Sequence, residues 1–220
     1  LTETNGNMEE AINWLREKGI SKAAKKQARI AAEGLAKTIV EGNKAVIVEV
    51  NSETDFVAKN PEFTGLVEMI AKAILNSNVK TVEEALELIC DEGTLNDLIV
   101  AKTAKIGEKL SFRRFELIEK EDNQVFGTYS HMGGKIVTLT ILEGKDEEVA
   151  KDIAMQIAAM RPLYLDKESV PTERVEKERE ILTEQAENEG LDQNKLPMIV
   201  NGRLGKFFEE VCLLDQGFVK

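Results

Sequence analysis

The run Lys44-Ala45-Val46-Ile47-Val48-Glu49-Val50, followed soon after by Asn60-Pro61, constrains the fold more than any other feature. The run is short and rich in β-branched residues, which predicts a strand. Proline at the first helical position loses no needed hydrogen bond, so Asn60-Pro61 opens a helix. In that helix Phe63, Leu66, Val67, Ile70 and Ile74 fall on one face. A strand beside a one-sided helix is best buried as sheet against helix, and an α+β fold follows.

The rest of the chain extends this reading. Thr81 with Glu84 is expected to open a helix through Cys90, and Thr94 with Asp97 a further helix that ends at Gly107. A second strand is expected at 110–118, giving a small antiparallel sheet covered on one face by helices. The acidic stretch Glu119-Lys120-Glu121-Asp122-Asn123 then separates a second unit. There, strands at 125–131 and 135–142 are joined by the hairpin turn Met132-Gly133-Gly134. Helices are expected near 146–160, with Val149, Ile153, Ile157 and Met160 facing in, near 172–189 and near 197–210. Residues 211–219 are expected to return as an edge strand.

Before the first strand, Asn7 can cap a helix that carries Met8, Ala11, Ile12 and Leu15 at helical spacing, with Gly19 as its stop. One such helix cannot bury its face alone, so 1–19 reads as the remnant of a small helical module. Residues 20–34, rich in alanine and lysine, read as a helical tether. The expected organisation is therefore 1–19 module remnant, 20–34 tether, 35–123 first core subdomain and 124–220 second core subdomain.

Composition narrows the function. The 220 residues include 29 basic and 40 acidic side chains, a formal net charge of -11. Nucleic-acid binders need a basic field to release phosphate counterions, so DNA or RNA is not the expected partner. The basic segment 18–29 lacks aromatic faces on which bases stack, and reads as a solvated segment facing an acidic partner. Cys90 and Cys212 form no C-x-x-C pair, which argues against a zinc site or a disulfide framework and for a reducing, cytosolic compartment. No apolar run reaches the roughly 18 residues that span a bilayer, and no signal pattern opens the chain. No membrane association is expected.

Chemistry-bearing patterns are sparse. His131 is the single histidine, and no nucleophile–base–acid or metal-ligand spacing surrounds it. Gly133-Gly134-Lys135 is not a phosphate loop, since Tyr129 stands where the first glycine belongs and Ile136 where Ser or Thr belongs. No dinucleotide fingerprint follows a strand, so no cofactor, no metal and no catalytic residue is expected. The stretch Asn51-Ser52-Glu53-Thr54-Asp55-Phe56-Val57-Ala58-Lys59-Asn60 stands out. Phe56 reads either as a core anchor or as the apolar tip of a rigid mount, with Asp55 as an orienting charge; Thr54 and Asp55 can cap a short helical turn.

Thr54-Asp55-Phe56-Val57-Ala58-Lys59-Asn60, preceded by Glu49-Val50-Asn51, resembles the signature of the elongation factor Ts family. Further stretches agree in order. They are Asn5-Gly6-Asn7 with Ala11-Ile12 and Leu15-Arg16, Ala104-Lys105-Ile106-Gly107-Glu108 with Arg113-Arg114, and Ser130-His131. Ile153-Ala154-Met155-Gln156-Ile157-Ala158-Ala159 and Gly202-Arg203-Leu204-Gly205-Lys206-Phe207-Phe208 are similar to the family too. The resemblance covers nearly the whole chain.

It implies a guanine nucleotide exchange factor, not an enzyme, whose partner is elongation factor Tu, GDP-bound or nucleotide-free. In the family the acidic and aromatic residues of the signature disturb the partner's Mg²⁺ site, which carries over to Asp55 and Phe56, with Thr54 and Val57 beside them. Ile106, Gly107 and His131 would support the contact. A bacterial cytoplasm or an organellar matrix is implied. The family opens with a three-helix module resembling a ubiquitin-associated domain, of which 1–19 match only the second part, and members can continue into a C-terminal module or tail. Two other readings stay open at this point: a small acid–base enzyme using Asp55 and His131, and a scaffold protein that binds helices.

Overall fold

The computed structural model describes residues 2–4, 7–90 and 93–219. Asn5 and Gly6, quoted in the resemblance, lie outside the described residues, as does the side chain of Arg16. The fold is α+β, with antiparallel sheets of two or three strands. Contacts divide the chain into two compact units, Leu1–Ala154 and Met155–Lys220.

The first unit begins with a short 3-10 turn, Thr2–Thr4, and helix α1, Met8–Ala24. Asn7 Oδ1 accepts the amides of Glu9 and Glu10 at 3.0 and 3.2 Å, the expected cap. The helix does not stop at Gly19 but runs on to Ala24. A glycine inside a helix costs about 1 kcal/mol relative to alanine, too little to end one that has other support. Here a Cβ on Gly19 would lie 3.6 Å from the Cβ of Ala104, so the residue sits at a close helix crossing. Met8, Ile12 and Leu15 remain exposed.

Two strands follow, β1 (Glu33–Glu41) and β2 (Lys44–Ser52), paired antiparallel from Glu33↔Ser52 to Glu41↔Lys44. The sequence reading anticipated β2 and missed β1, placing its start in a tether. A one-turn helix α2 (Asp55–Ala58) leads into α3 (Pro61–Leu75), where Asn60 Oδ1 accepts the Glu62 amide at 2.8 Å. Phe63, Leu66, Val67, Ile70 and Ile74 are all buried, packed with Val46, Val48 and Val50 of β2.

Helix α4 is only Val82–Leu86, and the expected continuation to Cys90 is replaced by a short strand. Strand β3 (Ile89–Cys90) pairs with β4 (Gly93–Thr94). Leu86, Leu88 and Cys90 pack on the core at a spacing of two, the period of an extended chain. Thr94 then opens α5 (Leu95–Ile106) with the expected reciprocal box. Its hydroxyl accepts the Asp97 amide and Asp97 Oδ2 accepts the Thr94 amide, both at 3.1 Å. Gly107 ends α5 at φ 88°, in the left-handed region that favours glycine.

Strand β5 (Ser111–Glu119) completes the sheet order β1-β2-β5. Its pairing with β2 slips between Glu49 and Val50. At this bulge the Glu49 carboxylate receives Arg113 Nη1 at 2.9 Å and Arg114 Nε at 2.6 Å. Partial burial pushes Glu49 up, but the hydrogen bonds from Arg114 and Asn51 outweigh it and leave the carboxyl below its usual range.

Strands β6 (Gln124–His131) and β7 (Ile136–Glu143) form the expected hairpin, and α6 (Glu147–Met160) follows. The inward face of α6 is not the expected one. Val149 and Met160 are exposed, Ile153 and Ile157 half-buried, and the buried line is Ala150, Ala154 and Ala158. For Ala150 and Ala154 the reason is close approach to the hairpin. Thr138 and Thr140 donate to the carbonyls of Ala154 and Ala150 at 2.7 and 3.0 Å, and a Cβ on Gly127 would stand 2.0 Å from the Ala150 oxygen. At such separation only small side chains fit between the layers.

In the second unit α7 (Thr172–Asn188) packs on α8 (Leu196–Val211). Val170, Leu204, Phe207, Val211 and Cys212 form its buried cluster. Arg203 grips Glu189 through two bonds, 3.1 and 2.6 Å. The expected edge strand at 211–219 is absent among the described residues. A single bridge joins Cys212 to Tyr164, and Leu213–Asp215 forms a 3-10 turn. The amides of Asp215 and Gln216 both turn back to the Cys212 carbonyl, so these donors are spent locally and not on a ladder.

Candidate functional site

Strand β2 is the base of the site. Its last residue, Ser52, is fully buried and donates through Oγ to the Thr54 carbonyl at 3.0 Å, bending the chain out of the sheet. Thr54 is extended, and its hydroxyl accepts the Val57 amide at 3.4 Å to cap α2. Val57 and Ala58 turn into the core, 9% and 2% exposed. Phe56 is 81% exposed. The core-anchor role weighed for Phe56 thus belongs to its two successors.

Asp55 pairs with Lys59 at 3.1 Å one turn later. The hydrogen bond from Lys59 and its charge, with Lys135 adding a further positive field, hold the Asp55 carboxyl below its usual range. The tip therefore offers water a phenyl ring beside an ionised carboxylate.

A neighbouring loop fastens this tip. Past Gly107, Glu108 Oε2 accepts the amides of Glu53 and Thr54 at 3.1 and 3.0 Å, and its Oε1 accepts the Thr54 hydroxyl at 2.7 Å. Glu53 in turn accepts the Lys109 amide at 2.6 Å and pairs with Arg29 at 3.3 Å. That amide, with Arg29 and Lys26 adding positive charge, lowers the Glu53 carboxyl. Lys109 Nζ donates to the carbonyls of Gln27 and Arg29 at 2.7 and 3.0 Å, and Lys26 Nζ to that of Gly107. The basic segment at 18–29 is thus strapped at its end to the mount of the tip, more engaged than the solvated segment expected. Ile106 is half-buried on the core and Gly107 is exposed.

His131 lies at the end of β6, exposed, with Nδ1 3.1 Å from the Tyr129 hydroxyl and the two rings stacked 6.0 Å apart. The turn after it runs through left-handed Met132, Gly133 and Gly134, at φ 50°, 67° and 99°. Gly134 docks on β1. Its carbonyl accepts the Ala36 amide at 2.8 Å, and a Cβ there would lie 2.9 Å from the Ala36 oxygen. A groove of about 430 Å³ runs between this turn and the start of α3, lined by Lys37, Pro61, Gly65, Glu68, Ser130 and Gly134 among others.

Asp55 and His131 are each engaged with other partners, Lys59 and Tyr129. Among the described residues no group of three His, Cys, Asp or Glu side chains could hold a metal ion, and no helix is long and apolar enough to cross a membrane. What the arrangement can do is hold an aromatic ring and a negative charge rigidly outward. Glu53, Glu108 and Lys109, which build the mount, had no role in the sequence reading. The only signal was that Glu108 closes the stretch 104–108 and Glu53 sits just before Thr54.

The family model of elongation factor TS matches residues 53–220, from the mount of the tip onward. The chain belongs to the elongation factor Ts family. This is a family of nucleotide-exchange factors in translation elongation, acting on a translation elongation factor partner rather than on a chemical substrate.

Proposed function

We propose that this chain binds GDP-bound elongation factor Tu and speeds GDP release, so that GTP can load. The observation that carries the reading is Phe56, an exposed aromatic ring on a half-buried, doubly fastened mount within a chain of this family. Asp55 and Phe56 enter the partner's nucleotide domain and disturb its Mg²⁺ site, with Thr54 and Val57 fixing their angle. Loss of the metal removes the largest positive charge on the diphosphate, and a shifted helix moves the backbone donors around it. Both changes weaken GDP.

Ile106, Gly107 and His131 support the docked geometry. The chain changes no covalent bond. It stabilises a nucleotide-poor state of the partner by binding that state more tightly than the GDP-bound one. A bacterial cytoplasm or an organellar matrix is the matching compartment.

Release of a fluorescent GDP from purified elongation factor Tu, with and without the chain, tests the reading. Release should accelerate with added chain and saturate; an unchanged rate at saturating chain sinks it.

A further inference from the structure

Helix α2 is a single turn, and a single turn does not hold itself in water. Its orientation has to come from its surroundings. Behind it, Val57 and Ala58 are buried, which fixes depth but leaves rotation about that contact to be set elsewhere. In front of it, Glu53 and Thr54 carry two amides and a hydroxyl, and one side chain takes all three.

That side chain is Glu108. Its two oxygens receive the Glu53 amide, the Thr54 amide and the Thr54 hydroxyl within 3.1 Å. Hydrogen bonds to an ionised acceptor are stronger than neutral ones, and three from two consecutive residues fix a direction as well as a distance. The exchange is mutual, since Glu53 accepts the Lys109 amide at 2.6 Å. Each glutamate therefore binds the other segment's main chain. Glu108 reaches this place because Gly107 ends α5 in the left-handed region and turns the chain toward β2. None of these groups belongs to the buried cluster on which the fold rests.

We infer that Glu108 is a positioning residue for nucleotide exchange: it sets the angle at which α2 presents Asp55 and Phe56, without itself meeting the partner's nucleotide site. The inference rests on the reading of Asp55 and Phe56 as the partner-facing pair. A wedge held at the wrong angle still docks through the surrounding surface but displaces less of what it enters. Loss of Glu108 should therefore lower the maximal exchange rate more than it raises the chain concentration giving half that rate.

The test compares the parent chain with Glu108→Ala, Glu108→Gln and Glu108→Asp, each scored for melting, for hydrogen exchange of the Glu53 and Thr54 amides, and for fluorescent GDP release from elongation factor Tu. Glu108→Ala should melt near the parent, lose protection at those two amides, and drop at least about tenfold in maximal rate with a smaller change in half-saturation. Glu108→Gln keeps an oxygen for the amides and an NH₂ for the hydroxyl, and should remain within about threefold of the parent. Glu108→Asp keeps the charge but loses reach, and should behave like Glu108→Ala. Should Glu108→Ala fail to fold, the contrast between Asp and Gln carries the decision.

Unchanged amide protection in Glu108→Ala, or a parental maximal rate despite lost protection, overturns the inference. So does activity kept by Asp and lost by Gln, because charge at the surface would then matter and aim would not. If the parent chain itself fails to release GDP, the proposed function falls, while the amide comparison still decides whether Glu108 holds the tip.

Discussion

Phe56 and Val57 are adjacent in sequence and opposite in fate, one in water and one in the core, so substituting each tests the proposed docking role apart from folding. Phe56→Ala should shift stability by no more than about 0.5 kcal/mol, as for an exposed site, while slowing stimulated GDP release. Val57→Ala removes buried methyl groups and should cost about 1–2 kcal/mol in melting experiments. Asp55→Ala should slow release by a similar or smaller factor than Phe56→Ala, and the double variant should be non-additive, as the proposed action of both groups on one movement of the partner requires. His131→Ala should give a separate and milder loss. A Phe56→Ala protein that melts early yet exchanges normally when folded would contradict the division of roles.

At this scale the sequence was half legible. Thr54 and Asn60 announce themselves as caps, but whether an aromatic next to an acid points in or out depends on which face of a four-residue turn meets the core, and no periodicity is readable over four residues. The mount was less visible still, because Glu53 and Glu108 meet only through tertiary structure.

Helix α3 and helix α5 are joined by a three-charge contact in the first turn of α3. Glu62 accepts Lys102 Nζ at 2.5 Å and Lys105 Nζ at 2.7 Å. Hydrogen bonds from Lys102 and then Lys105 draw its pKa down from 4.5 to about 2. The folded value lies below the unfolded one, so the stabilisation is fully present above about pH 4.5 and is lost as the pH falls toward 2. Melting midpoints of the parent should therefore decline across that window more than those of Glu62→Gln, and parallel curves would remove this contribution.

Where helix meets hairpin, Gly127→Ala should be among the costlier single-methyl changes, at about 1–3 kcal/mol, because the added Cβ would overlap the Ala150 carbonyl. A melting curve unchanged from the parent would mean that α6 can lift away freely. Element types were read well where a pattern ran long, as in β2, α3 and α5. Strand β1 was missed because its lysine, threonine and glutamates dilute the apolar signal, although Gly42-Asn43 between two β-branched runs is a recognisable hairpin cue. For α6 the large apolar residues misled, since proximity to β6 and β7 selects small residues over greasy ones.

The molecule as a whole carries a net charge of -11, and its basic groups at Arg29, Lys102, Arg113 and Arg203 are spent on its own carboxylates. Affinity for unstructured RNA should be weak and show little dependence on salt; tight binding to RNA without a protein partner would argue otherwise. Coupling between sites is reciprocal, so excess GDP with Mg²⁺ should dissociate the complex with elongation factor Tu by the same factor by which the chain weakens GDP. A complex whose lifetime ignores both would rule out exchange as the mechanism.

The mount beneath Phe56 can also be viewed as a matter of stiffness. A lever transmits a push only if it bends less than the body it presses on. The proposed lever is one helical turn long, clamped at its root by β2, by the core beneath Val57 and by the loop after α5. So short a span offers little compliance, and a load applied at its end is borne by the softer of the two bodies in contact.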